Sequence, residues 1–457
     1  MKEKIERCQN ILTEHYLVVL LFLSVVGLVL TGSGSRRLVG LIGCILCVVA
    51  FTKGAVKIDP WGLVPMLIYM AFVAFSSLRV DGNVFNGFFN SQILYPVLYV
   101  VLAYLTDDEK LWLRRLCVLW FTFVSIVGIM QFVLLALKGN VTRLNAFFGN
   151  PNALASFLMI GWFAAVNNAP DEQESGLLAA VLRRVEPLIL AALTLTLCMG
   201  SFLSTIVGFL VLLGQKKRSC TWGELFSYAF RMTGRIILAV GAGFLLYFAM
   251  SLTGTRWLCA PILLYLLFLA LFWPMVDRFL RVYRWVGPVV TSTALLMAVP
   301  VLLLRTNSIA TFTERLQMME NGLGYFFHDP LLGLGPYQWR FYDMADGGLY
   351  FNTWYIHNTL IHIGVEFGLV AFAMAVFLLV RRCRKGGSGL PGFTAFLAHN
   401  MLDISYFYPG IAAIALFTTV NPGDRGRTLS RPAAGLFFAV FFAILLCTGF
   451  HDTFYGL

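Results

Sequence analysis

Runs of apolar residues, separated by short polar segments, occupy most of the chain. A bilayer core about 30 Å thick needs about 20 apolar residues per helix, and shorter runs suffice when flanking side chains reach the interface. The pattern therefore predicts an all-α polytopic membrane protein with about 12–15 transmembrane helices. The predicted spans lie near Tyr16 to Thr31, Leu38 to Thr52, Trp61 to Leu78, Gln92 to Thr106, Leu111 to Leu137, Asn152 to Asn167, Pro187 to Gly200, Phe202 to Gly214, Ile236 to Leu252, Trp257 to Trp273, Val286 to Leu304, Ile356 to Val380, Phe393 to Asp403, Tyr408 to Thr419 and Ala433 to Phe450.

Two pairs of these runs are short enough to form one span or a re-entrant turn, Pro187 to Gly214 and Phe393 to Thr419. In the second pair the sequence Tyr408-Pro409-Gly410 favours two half-length helices, because Pro and Gly together break a helix. No stretch has the composition of an appended soluble domain. We therefore predict a single membrane domain over residues 1–457.

Composition agrees with the pattern and excludes other classes. The chain has 457 residues, of which 59% are hydrophobic and 12% charged, and its mean hydropathy is +0.79, so it has too little polar surface for a soluble domain. The net charge of +11 comes from clusters between apolar runs, which indicates membrane orientation rather than nucleic-acid binding. Most of the nine cysteines lie inside apolar runs, and their spacing predicts neither a disulfide framework nor a metal site.

The basic clusters predict an orientation. Placing the N-terminus in the cytoplasm puts most Lys and Arg clusters on the cytoplasmic side, as the positive-inside rule requires. Arg36 and Arg37 are the exception. The long polar segment 305–355 then lies outside the cytoplasm. We expect function to be concentrated there, because it is the only long polar stretch in the chain.

Cations and glycines in this extracytoplasmic segment suggest a diphosphate site. Its arginines are Arg305, Arg315 and Arg340, and arginine grips diphosphate in a bidentate manner. Gly333-Leu334-Gly335 is followed by Pro336, and this pattern fits either a backbone nest for phosphate or a structural turn.

A second polar loop, Gly139 to Asn152, precedes an apolar run. Asn150-Pro151-Asn152 predicts a helix start, with Asn150 or Asn152 as the cap. The alternative is that this helix N-terminus, with Arg143 and Asn145, forms an anion pocket.

Histidines and carboxylates occur near the predicted helix that follows the long loop. Helical geometry over Ile356 to Val380 places His357 at the water boundary, with Asn358 beside it, and Glu366 on the opposite face about 13 Å deeper. His362 and Glu366 are four residues apart, so we expect them to pair. His399 and Asp403 repeat this spacing, which suggests that Asp403 orients His399 or a substrate hydroxyl.

Four segments of this chain together resemble the O-antigen ligase and O-antigen polymerase (Wzy-type) family of bacterial envelope glycosyltransferases. They are FFGNPNALASFL, ERL followed by HDPLLGLGPYQW, HNTLIHIGVEFGLVAF and LAHNMLDISYFYPGIAAIALF, in this order between Arg143 and Thr418. The resemblance implies a GT-C-like enzyme of the bacterial plasma (inner) membrane. It also places the family's loop arginine on Arg315 and its catalytic histidine on His357.

The implied reaction moves a glycan from an undecaprenyl-diphosphate carrier to an acceptor glycan on the outer face, without cofactor or metal. Arg315, with Arg143, would stabilise the departing diphosphate, and His357 would take the acceptor proton, with inversion. A chain-length regulator or another envelope biosynthesis protein would be a further partner. One departure is clear, since Cys198-Met199-Gly200-Ser201 stands where many members carry a Ser-Arg pair. The alternative function is a transporter or lipid-linked oligosaccharide flippase, because His362, Glu366 and Asp403 would also suit a translocation path.

Overall fold

The computed structural model describes residues 14–32, 35–292, 307–346, 351, 353–421 and 426–454. Within them the chain is predominantly helical. The helices are α1 (Tyr16–Leu30), α2 (Arg36–Phe51), α3 (Pro60–Asp81), α4 (Leu94–Ala103), α5 (Asp107–Leu137), α6 (Pro151–Asn167), α7 (Leu177–Leu182), α8 (Glu186–Leu195), α9 (Met199–Lys217), α10 (Trp222–Ser251), α11 (Cys259–Val282), α12 (Asn307–His328), α13 (Gln338–Ala345), α14 (Thr359–Lys385), α15 (Leu390–Asn400), α16 (Pro409–Thr419) and α17 (Arg431–Phe454).

Short elements complete the described part of the chain. Strands β1 (Val56–Ile58) and β2 (Arg427–Leu429) form an antiparallel pair in which Lys57 lies opposite Thr428. Four 3₁₀ helices cover Asn86–Ser91, Ala146–Phe148, Thr253–Leu258 and Ser405–Phe407.

The prediction of a polytopic all-α membrane protein is confirmed at this coarse level. Seven helices in the described residues are long and apolar enough to cross a bilayer: α3, α5, α9, α10, α14, Gly254–Val282, which contains α11, and Arg431–Phe450 within α17. Four further apolar helices are shorter, namely α1, α4, α8 and α16. The predicted span Val286 to Leu304 is helical over residues 286–292, and its greater part lies outside the described residues.

Caps explain why some helices extend beyond their apolar runs. Helix α10 begins 14 residues before the predicted Ile236, because Thr221 and Glu224 form a capping box that satisfies the first backbone N–H groups. Helix α6 begins at Pro151, and the Asn150 side chain accepts the N–H of Asn152 as its cap.

Both pairs of short runs form two helices rather than one. The run from Pro187 to Gly214 breaks between α8 and α9, where Leu197 has a positive φ of 50°. The run from Phe393 to Thr419 breaks between α15 and α16, with Pro409 at the first position of α16. The predicted break in this second run is therefore confirmed.

By its internal contacts the chain comprises two compact units. In the first (Met1–Arg114, Glu314–Gly386 and Asn400–Leu457), α3 packs antiparallel to α14. The buried carboxylate of Asp59, which caps α3, binds Arg381 at 2.7 Å and Lys385 at 2.6 Å, and Ser76 donates to the Glu366 carbonyl at 2.9 Å. These contacts hold the two helices in register at both ends.

The second unit (Arg115–Thr313 and Gly387–His399) contains helices α6 to α11. At its centre the buried carboxylate of Glu186 accepts the indole N–H groups of Trp162 and Trp273 and is paired with Arg235. A buried charge is tolerated only when paired and hydrogen-bonded, so this network is an important internal constraint on the unit.

The polar segment predicted as a loop over 305–355 contains regular structure. Helix α12 covers most of its first half, and α13 follows the glycine turn. Met318, Leu334, Trp339, Phe351, Ile356 and Val365 form a small apolar core between these helices and α14. A buried core explains the folding of a segment whose mean composition is polar.

Candidate functional site

Three sequence-distant segments of the first unit bring an arginine, a histidine and an aspartate together. Arg315 lies on α12, His357 precedes α14, and Asp403 follows α15. The Asp403 carboxylate lies 3.3 Å from Arg315 Nη2 and 3.6 Å from His357 Nδ1. These are two residues that the sequence predicted as catalytic and one that it predicted as substrate-binding.

Asp403 is the centre of this group. Its side chain is 4% exposed, and Oδ1 accepts the N–H of Ile404 at 2.8 Å while Oδ2 accepts from Arg315. Arg315 also donates through Nη1 to the Leu402 carbonyl at 2.7 Å. A guanidinium has five N–H donors, so these two bonds fix its position while using only part of its capacity.

His357 occupies the edge of the group. Its ring is 22% exposed, Nδ1 is enclosed beside Asp403, and its backbone N–H lies 3.3 Å from Met318 Sδ. The distance of 3.6 Å is longer than a hydrogen bond, so Nδ1 faces the carboxylate without bonding to it, and Nε2 lies on the opposite side of the ring. The arrangement therefore offers a base nitrogen, Nε2, whose partner nitrogen faces a carboxylate.

The helix after His357 begins later than predicted, which changes the geometry. Asn358 is the N-cap of α14, and its side chain accepts the Ile361 N–H at 3.1 Å. The predicted helix start at Ile356 is therefore wrong, and His357 lies before the helix rather than on one of its faces. A capping Asn takes extended backbone angles, and this turns the preceding residue away from the helix axis.

A second layer of hydrogen bonds supports the group. Asn358 donates to the Met401 carbonyl at 3.2 Å, and Thr359 donates to the Asn400 side chain at 3.1 Å. The same Asn400 oxygen accepts the Tyr406 N–H at 2.7 Å. These bonds tie the start of α14 to the segment that carries Asp403, so the two are positioned together.

The glycine turn is structural, and its prediction as a phosphate nest is not supported. The N–H groups of Gly333, Leu334 and Gly335 donate to the carbonyls of Asp329, Val365 and Glu366 at 2.8–3.0 Å. Because all three donors are used internally, they cannot cradle an anion. Gly333 and Gly335 have positive φ angles of 69° and 108°, and a Cβ at Gly333 would lie 2.5 Å from the Glu366 carbonyl carbon.

Glu366 and His362 pair as expected, and Glu366 has a second role. The His362 Nε2 to Glu366 Oε2 distance is 3.4 Å, and both side chains are buried. The backbone N–H groups of Tyr337 and Trp339 also hydrogen-bond to the Glu366 carboxylate. Glu366 thus attaches the start of α13 to the middle of α14.

Arg79 was not predicted as a functional residue. At the end of α3 its guanidinium pairs with Asp329 and donates to the Gly333 carbonyl, so it clamps the glycine turn. The signal was an arginine at the end of an apolar span predicted to lie outside the cytoplasm, against the charge rule. Arg340 lies over the Trp354 ring at 4.3 Å, and Arg305 lies outside the described residues.

A buried carboxylate links α12, α13 and the chain before α14. Asp343 is 1% exposed, accepting from the Asn321 side chain at 2.6 Å and from the Phe351 N–H at 2.8 Å. Burial raises the pKa of Asp343, and these two hydrogen bonds partly offset the rise. The carboxylate therefore fixes the helices that carry Arg315 and Arg340 relative to each other.

The predicted anion loop lies in the second unit. Arg143 donates to the Thr196 carbonyl at 2.8 Å and to Asn152 Oδ1 at 2.6 Å. Asn150 is the helix cap, so Asn152 is not, and Asn145 precedes the 3₁₀ turn. The structural alternative, capping, accounts for Asn150, while Arg143 joins this loop to the break between α8 and α9.

His399 has a cysteine as a neighbour. In the second unit its Nε2 lies 3.9 Å from Cys198 Sγ, which accepts from Ser201 Oγ at 3.4 Å. Helix α15 ends at Asn400, so His399 and Asp403 do not share a helical face. Cys198 and Ser201, in the stretch where the resemblance leads one to expect Ser-Arg, form a buried cluster with His399.

Comparison with known proteins adds no family. The chain matches no known protein-family model, and it has no significant match among curated proteins. Within the described residues no three His, Cys, Asp or Glu side chains are placed to hold a metal ion.

Proposed function

We propose that this chain is a membrane glycosyltransferase of the O-antigen ligase and polymerase type. It transfers a glycan from an undecaprenyl-diphosphate carrier to an acceptor glycan at the extracytoplasmic face of the bacterial plasma membrane. The support from sequence is the resemblance of four ordered segments. The support from geometry is the meeting of Arg315, His357 and Asp403.

The convergence of these three residues carries the proposal. They come from positions separated by as many as 88 residues, and Asp403 contacts both of the others. A carboxylate between an arginine and a histidine neutralises the cation and orients the base. The His357 ring is 22% exposed, so it is accessible to a soluble reactant.

Each of the three residues has a distinct role in the proposed reaction. His357 Nε2 takes the proton of the acceptor hydroxyl as its oxygen attacks the anomeric carbon, and the bond from that carbon to the diphosphate oxygen breaks. Arg315 stabilises the negative charge that develops on the departing diphosphate. Asp403, whose carboxylate lies 3.6 Å from Nδ1, stabilises the imidazolium electrostatically. A single displacement inverts the anomeric centre.

The proposal is tested by transfer of a purified carrier-linked oligosaccharide to its acceptor in proteoliposomes. We expect His357→Ala to reduce turnover by at least about 100-fold, the usual contribution of a general base. His328→Ala is the matched control, because this exposed histidine ends α12 and should leave turnover unchanged. Full transfer by His357→Ala would show that the base assignment is wrong.

Transport is the second candidate, favoured by the buried ionisable pair His362 and Glu366 within a span. The Glu366 carboxylate is hydrogen-bonded to the backbone at the start of α13, which is a structural use. Flipping of a fluorescent carrier-linked oligosaccharide in proteoliposomes without acceptor discriminates the two functions. Flipping that is lost in Glu366→Gln and intact in His357→Ala would favour transport.

A further inference from the structure

Helix α12 has two apolar faces, although it lies in the segment that the sequence predicts as an extracytoplasmic loop. The inner face packs on the protein: Met318 is 4% exposed, and a Cβ at Gly322 would lie 2.6 Å from Ile356 Cδ1. The outer face carries Leu316, Leu323 and Phe327, which are 48%, 43% and 72% exposed. We call these three residues the outer stripe.

The outer stripe is a true helical face. At about 100° per residue, its three side chains fall within about 40° of one another. Glu320 marks its border, and exposed polar residues, among them Gln317, occupy the next part of the circumference. A helix in water gains nothing by exposing three large apolar side chains in line, which indicates a surface suited to an apolar partner.

Contacts of α12 with α14 place its C-terminal half beside a membrane span. Phe326 lies next to Gly364 and 6.3 Å from the Phe372 ring, on a helix long and apolar enough to span the bilayer. The glycine turn after α12 bonds to Val365 and Glu366, and Leu369 donates to Pro330. The C-terminal half of α12 therefore runs beside the first turns of a membrane span.

The position of these contacts along α14 also indicates that α12 lies beside the membrane. Its far end carries Arg382, Arg384 and Lys385, which mark one interface, and about 20 residues back from them lies the other, near Ile361. Glu366 then lies roughly 7 Å inside it at 1.5 Å per residue, and Leu369 follows the break in helical geometry at Gly368. Backbone at this depth must have its N–H groups satisfied, as those of the glycine turn are.

We propose that the outer stripe is seated among the acyl chains of the leaflet next to the start of α14. Helix α12 is then an interfacial helix and not a soluble lid. The stripe continues the lipid-facing surface of α14, where Leu369 is 45% exposed. The occupant is the bilayer itself, and the proposal does not depend on the chemistry that the protein performs.

The location has one consequence that does rest on the proposed function. Arg315 directly precedes Leu316, so an embedded stripe puts the guanidinium near headgroup level. A lipid-linked diphosphate carries its phosphates at that level, with its chain in the bilayer. The donor would thus reach Arg315 by lateral diffusion within the leaflet.

The test attaches a nitroxide spin label to α12 at one position in the outer stripe and, separately, at one position on the polar face. The protein is held in nanodiscs of phosphatidylcholine and phosphatidylglycerol. The single-cysteine variants are Leu323→Cys and, as matched control on the polar face, Gln317→Cys, in a chain whose nine native cysteines are replaced. We expect Leu323→Cys to be several-fold more accessible to oxygen than to a water-soluble nickel chelate, and Gln317→Cys to show the reverse. Equal accessibility to the chelate at both positions would overturn the proposal.

A second measurement uses the unaltered chain, so it gives a result even if these variants do not fold. Lipids with a carbene-generating group in the acyl chain are photolysed in nanodiscs, and modified residues are mapped by mass spectrometry. We expect labelling at Leu323 and Phe327 as well as at Leu369. Labelling at Leu369 without any in α12 would refute the proposal. Neither readout involves glycan transfer, so failure of the enzymatic proposal would leave this result standing.

Discussion

The most specific structural prediction concerns Gly368, in the middle of α14. Its backbone has φ 82° and ψ −177°, and a Cβ there would lie 2.1 Å from the Leu331 carbonyl oxygen. Gly368→Ala therefore incurs about 1–3 kcal/mol of backbone strain. It also displaces the glycine turn, breaking the bonds from Leu369 to Pro330 and from Leu334 to Val365, at about 1 kcal/mol each. The expected loss of stability is roughly 3–5 kcal/mol in total.

Gly386 provides a matched control because it has a similar backbone, φ 67° and ψ −142°, with no atom within 4 Å of an added Cβ. Gly386→Ala should cost only the strain, about 1–3 kcal/mol. Thermal unfolding in detergent measures both variants, and limited proteolysis between α12 and α13 should accelerate only in Gly368→Ala. If Gly368→Ala were no less stable than Gly386→Ala, the turn would not sit against α14 as described.

Three further predictions test other parts of the molecule. Asp403→Asn should lower the transfer rate by about 100-fold with a smaller change in donor KM, as expected for a positioning residue, and Asp403→Glu should restore part of the rate. Asp59→Asn should lower stability by about 2 kcal/mol at pH 7. Burial raises the pKa of Asp59, but the hydrogen bonds from Lys385 and Arg381 lower it further, so the net direction is down. This stability is present above the unfolded pKa of about 4 and is lost as pH falls through the folded pKa, so thermal unfolding of wild type and variant should converge in acid. Asn150→Ala should cost about 1 kcal/mol through loss of the α6 cap, measured in the same way, and an unchanged melting temperature would contradict that role.

Hydrophobic pattern predicted the fold class because bilayer thickness and helical rise leave few alternatives. It was less informative about helix ends, which depend on local hydrogen bonds. The capping box at Thr221 and Glu224 extends α10 well beyond its apolar run, and Asn358 starts α14 after His357. It also missed α12 and α13, since a segment of polar mean composition folds here around a core of its own.

The candidate site was predicted as a set of residues but not as an arrangement. Arg315, His357 and Asp403 were each identified, but the four-residue spacing suggested that Asp403 orients His399 or a substrate hydroxyl and gave no sign of its contacts with Arg315 and His357. A four-residue spacing predicts neighbouring side chains only within one helix, and α15 ends at Asn400. Pairings across long stretches of sequence depend on how helices pack, which a single sequence does not display.

The contacts of the glycine turn explain why α12, the turn and α13 are held together. Arg79 holds the turn from α3, Glu366 holds the start of α13 from α14, and Gly368 provides the space into which Leu331 fits. Arg315 lies on the helix that leads into this turn, so its position opposite Asp403 is coupled to all three contacts. A change at Gly368 should therefore reduce transfer as well as stability, although Gly368 lies 11 residues beyond His357 and touches no reacting group. Loss of stability with undiminished transfer would show that Arg315 is positioned by Asp403 and Leu402 alone.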